Sequence, residues 1–159
     1  MERVQMILNH PQFKKYMELN SQAERDRKFC HHDIQHSLDV ARVAYIIALE
    51  NKYDLKKEII YITALLHDIA KWKQYSQKAD HAAEGAVLAR EILLDLNMEK
   101  DDIEMVLDAI EKHRKKEGHS TPLSKVLYAG DKSCRQCVKC AMVGECNWFI
   151  NGGTPVLNY

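Results

Sequence analysis

Between Gln12 and Glu117 the chain carries no proline and a single glycine, Gly85. A strand-and-turn architecture needs turn residues every ~8–12 positions, so a stretch this poor in breakers reads as helices joined by short polar links. The apolar residues agree. Ile103, Val106, Leu107 and Ile110 follow the i, i+3, i+4, i+7 rule of an amphipathic helix. Asp33–Leu49, Leu55–Ile69 and Ala82–Leu96 are apolar on more than one face, as interior helices are. Asn51–Asp54, Ser76–Asp80 and Asn97–Asp101 are polar enough to be links, and Asp80 is placed to cap the helix containing Gly85. Thr121-Pro122 marks the start of a last core helix, an N-cap followed by proline at the first helical position. The expectation is an all-α fold, a compact helical bundle.

Composition bounds the rest. At 159 residues the chain is the size of one domain, and 46% hydrophobic with 29% charged residues is a globular balance rather than a disordered one. Lys+Arg 23 against Asp+Glu 23 leaves no net charge, which excludes gripping nucleic acid by bulk charge. The longest apolar run, Val43–Leu49, is too short to span a bilayer, and the first twenty residues lack the apolar stretch of a signal peptide. Five cysteines, an odd number, suit a reducing compartment. These features predict a cytoplasmic protein with no membrane contact, a monomer or homodimer. Composition shifts after Cys134, first to cysteines and then to Asn151-Gly-Gly-Thr-Pro155. Residues 1–24 are expected to be a helical segment of the same domain, 25–135 its core, and 136–159 a short Cys-rich C-terminal tail.

The ionisable residues fall on the inward stripes of these helices. His36 shares a stripe with Val40, Val43 and Ile47; His67 lies with Ile60 and Ala64, followed at once by Asp68. His113 continues the stripe of Ile103 and Ile110, Asp131 follows Leu127 by one turn, and His81 opens the helix of Ala82–Leu96. A buried imidazole or carboxylate costs several kcal/mol unless it is paired or bound to metal. A lone histidine on an apolar face reads as a hydrogen-bonded core residue, but six such groups on five helices are satisfied together by a shared cation. Nitrogen and oxygen donors suit iron, zinc, manganese or nickel. The adjacent pair His67-Asp68 lets one carboxylate span two ions, which lie ~3.5–4 Å apart in two-metal sites. His36, His67 and Asp131 would complete one ion, and His81 and His113 the other.

Three ordered stretches, Gln35-His-Ser-Leu-Asp-Val-Ala41, Thr63-Ala-Leu-Leu-His-Asp-Ile-Ala-Lys71 and Leu127-Tyr-Ala-Gly-Asp-Lys132, resemble the H…HD…D pattern of the HD superfamily of metal-dependent phosphohydrolases over residues 25–135. His81-Ala-Ala-Glu-Gly-Ala86 and Glu111-Lys-His113 resemble the extra histidines of the dinuclear branches. Those branches include bacterial diadenosine tetraphosphate hydrolases, HD-GYP cyclic-dinucleotide phosphodiesterases and inositol oxygenases. The first is the nearest match, and no GYP signature follows His113.

The resemblance implies one or two divalent transition metal ions, iron foremost, held by His36, His67, Asp68, His81, His113 and Asp131. It implies hydrolysis of a phosphoester or phosphoanhydride in a nucleotide or other small phosphorylated metabolite, by metal-activated water held against Asp68. Lys71 resembles the lysine that contacts phosphate in relatives; its alternative is a solvated helix-end lysine. Arg135, one turn after Asp131, is a second phosphate candidate. His32, one turn before His36, reads as a substrate-contacting or supporting residue rather than a ligand. His10, His31 and His119 read as surface residues. The links 72–80 and 114–122, with Lys73, Lys78, Lys115 and Lys116, would shape the pocket rim. The same ligands would serve a di-iron oxygenase like the inositol oxygenases, or a nucleotide sensor without turnover.

In the tail, Cys134, Cys137, Cys140 and Cys146 are open to three readings: plain thiols, a zinc site or an iron–sulfur cluster. Cys30 reads as a separate buried thiol. Trp148 and Phe149 are expected to pin the tail to the core.

Overall fold

A computed structural model describes residues 1–159. The chain runs α1 (Glu2–Asn9), α2 (Pro11–Ala23), α3 (Ile34–Glu50), α4 (Lys57–Leu66), α5 (Lys71–Gln77), α6 (His81–Asp95), α7 (Lys100–Lys112) and α8 (Pro122–Ser133), followed by two 3₁₀ turns, Cys137–Lys139 and Val143–Glu145. There is no strand. The all-α expectation holds.

Side-chain caps set most of the starts that bear on the site. The Asp33 carboxylate accepts from the His36 amide at 2.8 Å, and Asp80 accepts from the Ala82 amide at 3.1 Å. Thr121 and Ser124 close a reciprocal capping box ahead of Pro122 at the first helical position. Each cap answers backbone donors that a helix start leaves unpaired, commonly about 1 kcal/mol apiece. All three stand immediately before a helix that delivers a site residue: His36, His81 and Asp131.

Packing is built around α3, α4, α7 and α8. α3 lies against α4 and α8, α7 against α4, α6 and α8. Val40, Ala44, Ile60, Leu66, Ile110 and Leu127 are among the residues sealed in the core. α1 packs on α4 and α2 on α5, and Ile7, Phe13 and Tyr16 join the same apolar cluster. No helix is long and apolar enough to cross a membrane.

Two boundaries differ from expectation. α4 stops at Leu66 rather than Ile69, so His67 and Asp68 stand in a turn of residues 67–70. The stretch 72–80, expected to be a link, is instead mostly helix, within α5 as far as Gln77. The break has a visible cause. Asn20 of α2 donates through Nδ2 to the Asp68 carbonyl at 2.9 Å and accepts from the Trp72 amide at 2.8 Å. It thus takes over backbone groups on both sides of the turn. His113, likewise, is the C-cap of α7 rather than a residue inside it.

The tail also differs. Trp148 is 56% exposed and meets the core through the Lys132 ammonium, 5.6 Å over its ring, rather than by burial. Phe149 is half-buried.

Candidate metal centre

Four helices and the turn after α4 aim six side chains at one point. Asp68 lies at its middle. Its Oδ2 stands 3.0 Å from His67 Nε2 and 3.8 Å from His36 Nε2. Its Oδ1 stands 2.9 Å from His81 Nε2 and 3.5 Å from His113 Nε2. Asp131 Oδ1 closes the first half, 3.3 Å from His36 Nε2 and 4.0 Å from His67 Nε2. His81 and His113 face each other at 3.2 Å. Two donor groups result, His36/His67/Asp68/Asp131 and Asp68/His81/His113, within each of which the donor atoms lie within 4.8 Å of one another. All six residues are buried, His36 the least so at 9% exposed.

The imidazoles are oriented from behind. His67 donates Nδ1–H to the Ala64 carbonyl at 2.7 Å, His113 to the Ile110 carbonyl at 2.6 Å, and His81 to Gln74 Oε1 at 2.5 Å. With Nδ1 carrying the proton, each Nε2 offers its lone pair inward. His36 differs, its Nδ1 resting 3.7 Å from the Cys134 sulfur.

Charge state follows the same logic. Burial opposes ionisation of Asp68, yet the imidazoles of His67 and His32 hold its carboxyl well below the usual range. Asp131 is likewise held low, against its burial, by His36 and His67. Burial pushes His36 down and His81 down to about 4, so both are neutral donors at neutral pH. His67 goes the other way despite its burial, raised by both carboxylates.

The residues fit a metal on structural grounds. His36 Nε2, His67 Nε2 and Asp68 Oδ1 are buried without a hydrogen-bond partner. Orphaned buried polar atoms cost ~1–3 kcal/mol each. Two of these atoms face the first donor group and the third faces the second, as donors that could hold a cation would.

A cavity of about 400 Å³ opens beside this centre, and His32, Lys71 and Arg135 all line it. Lys71 Nζ stands 3.5 Å from His81 Nε2, and Arg135 donates to Asp131 Oδ1 at 3.0 Å. Its charged lining is Arg27, Lys71, Lys132 and Arg135, with no carboxylate. A larger cavity of about 560 Å³, between α2 and the start of α3, is lined by Glu18, Glu24 and Asp33 against Lys14 alone. An anion belongs in the first. Of the other rim lysines, Lys73 pairs with Glu84, while Lys78, Lys115 and Lys116 are exposed.

The supporting residues escaped the sequence reading. Glu24 accepts from the His32 amide at 2.7 Å, takes its Nδ1–H at 2.5 Å and is bonded by the Tyr75 hydroxyl at 2.6 Å. Asn20 and Glu24 extend the buried stripe of Phe13 and Tyr16 along α2. Polar residues recurring on an apolar stripe were the available signal. His31 is exposed as expected, whereas His10 caps α2 and His119 packs on the Tyr128 ring at 4.6 Å.

Of the cysteines, Cys30, Cys137, Cys140 and Cys146 line the 400 Å³ cavity. Cys134 sits apart at the end of α8, its thiol pushed up to about 12 by burial and by Asp131. Cys30 is half-buried rather than sealed.

With this geometry in place, relatives narrow its meaning. The HD domain family matches residues 33–138, which spans the centre from His36 to Asp131. The chain belongs to the HD-domain family. It is 39% identical to an uncharacterized protein of Clostridium beijerinckii over 93% of both chains. A bifunctional uridylyltransferase/uridylyl-removing enzyme of Nitrobacter hamburgensis is 35% identical over 83 residues, 52% of this chain and only 8% of that one. Among solved structures, a predicted HD superfamily hydrolase from an uncultured Thermotogales bacterium is 28% identical with a TM-score of 0.58, covering 75% of this HD-domain chain and 66% of the other. Family membership and the His/Asp centre together support a metal-dependent hydrolase at the family level.

Proposed function

We propose that this HD-domain protein hydrolyses a phosphoester or phosphoanhydride of a small phosphorylated molecule, a nucleotide of the dinucleoside-polyphosphate kind being the first to try. The observation that carries the reading is the acid-free cavity with four cationic side chains beside a centre of six buried donors. A neutral polyol, as an oxygenase of this fold would take, needs no such charge.

His36, His67 and Asp131 would hold one ion, His81 and His113 the other, with Asp68 shared. Bound metals supply Lewis-acid activation of water and neutralise charge on phosphate oxygens. Iron, zinc, manganese and nickel all match the nitrogen and oxygen donors, and iron is the one to load first. The chain's own groups do the rest. Lys71 and Arg135 orient phosphate oxygens, and His32, held by Glu24, presents its Nε2 4.0 Å from Asp68 Oδ2. The buried shell around Asp68 keeps bulk water from the reacting oxygens. The reading places the protein in the cytoplasm, acting on a diffusible substrate.

The test is phosphate release from dinucleoside polyphosphates and phosphomonoesters by protein loaded with iron, manganese or zinc. His67→Ala and Asp68→Ala should each abolish turnover. Lys71→Ala should raise KM roughly tenfold, about 1.4 kcal/mol of lost binding. Hydrolysis that persists in His67→Ala with chelator present sinks the assignment. So does an iron form that consumes oxygen but releases no phosphate.

A further inference from the structure

Three cysteines lie in one run, Cys137-x2-Cys140-x5-Cys146, and a fourth, Cys30, precedes them by more than a hundred residues. The fold brings them to one cavity. Cys30 lies between α2 and α3, where Arg27 Nε donates to its carbonyl at 2.9 Å. Cys137 opens the first 3₁₀ turn, Cys140 ends it and Cys146 ends the second. All are free thiols, and Cys137 has the other three as electrostatic neighbours.

The segment they occupy has little else to hold it. Nothing after Leu127 belongs to the buried apolar cluster, and Val138, Trp148 and Ile150 are exposed. An irregular segment without a core of its own needs a cross-link or a metal. No disulfide is present. Four thiols facing one space supply the other means.

The arrangement also distinguishes a cluster from a single ion. Four thiolates on zinc at ~2.3 Å would stand about 4 Å from one another. The groups that bring three or more donor atoms within 4.8 Å contain only histidines and aspartates, no cysteine. No three of the four sulfurs are gathered that closely, a looser arrangement that suits ligands each binding a different iron. Three ligands in a run with a distant fourth is a spacing that iron–sulfur sites use. Arg27 and Lys132 line the same cavity and would offset the negative charge of four thiolates on a cluster, leaving Lys71 and Arg135 to the phosphate of the proposed substrate.

We propose that Cys30, Cys137, Cys140 and Cys146 hold an iron–sulfur cluster, distinct from the His/Asp centre, that ties the C-terminal segment to the stretch before α3. Cys134 is not a ligand of it. Its thiol bonds toward the Asp131 carbonyl and His36 instead.

The full-length protein, purified without oxygen and reconstituted with ferrous iron and sulfide, is assayed for iron and acid-labile sulfide, with Mössbauer spectra on enriched iron. About four sulfides per chain are expected for a four-iron cluster. They should persist in His67→Ala, which impairs the histidine centre, and in Cys134→Ser, and fall away in Cys30→Ser and Cys140→Ser. Far-UV circular dichroism separates loss of cluster from loss of fold, and the wild-type sulfide count stands apart from any variant. Absence of labile sulfide, zinc bound to the thiols in its place, or a cluster indifferent to Cys30→Ser would each overturn the proposal.

Discussion

Asn20 and Glu24 decide the geometry of a centre to which neither contributes a donor. Replacing Asn20 by Ala leaves the Trp72 amide without a partner and removes one of the two donors to the Asp68 carbonyl, which keeps the Lys71 amide at 3.0 Å. The expected cost is about 2 kcal/mol or more by urea unfolding, with weaker cation uptake because His67 and Asp68 lose their turn. Glu24 carries a pH signature. Burial raises its pKa, but bonds from His32 and Tyr75 outweigh that and hold it down at about 2. A carboxyl depressed in the native state contributes stability above its unfolded pKa, near 4.5, and loses it as pH falls toward 2. The stability gap between wild type and Glu24→Gln should therefore be full at pH 6 and shrink steadily between pH 4.5 and 2. A gap constant over that range would show that Glu24 acts by shape alone.

At the scale of elements, Gly130 sets how closely α8 approaches α3. A Cβ there would lie 3.0 Å from the Val40 carbonyl and from Ala44 Cβ, both on α3. The next residue is Asp131, which reaches His36 across that same contact. Gly130→Ala should cost about 1–3 kcal/mol and loosen the His36–Asp131 pair, read as a lower melting temperature and reduced metal stoichiometry. Gly85→Ala meets nothing closer than 3.4 Å and should be nearly neutral. The sequence distinguished helices from links through proline, glycine and period, and it named the six side chains that converge around Asp68, because they stand on or beside apolar stripes. It did not show the break after Leu66, since residues 67–70 hold no proline or glycine and Ile69 and Ala70 continue the apolar run. The cause lies in Asn20, 48 residues from Asp68. Nor did it join Cys30 to the tail, because spacing along the chain says nothing of where α2 ends in space.

Across the whole molecule, the donors come from α3, α6 and α8, the turn after α4 and the end of α7, so a bound cation clamps most of the bundle. Anything that binds only the native state stabilises it by mass action, about 2.7 kcal/mol at a hundredfold excess over Kd. The melting temperature should rise with added manganese or ferrous iron and fall under chelator. His67→Ala should flatten that dependence without erasing the helical signal. An equal rise in His67→Ala would place the cation elsewhere.

The Asn20 clamp has a consequence for the order of assembly. α6 and α7 meet as sequence neighbours, a local closure with little loop entropy to overcome. The His36–Asp131 and Asn20–Asp68 contacts instead join distant parts of the chain, and such pairings form late because their loops must close first. Helix content during refolding should thus run ahead of the ability to take up a cation. Ion capture becomes the final event of maturation, reporting that both ends of the chain have reached the bundle.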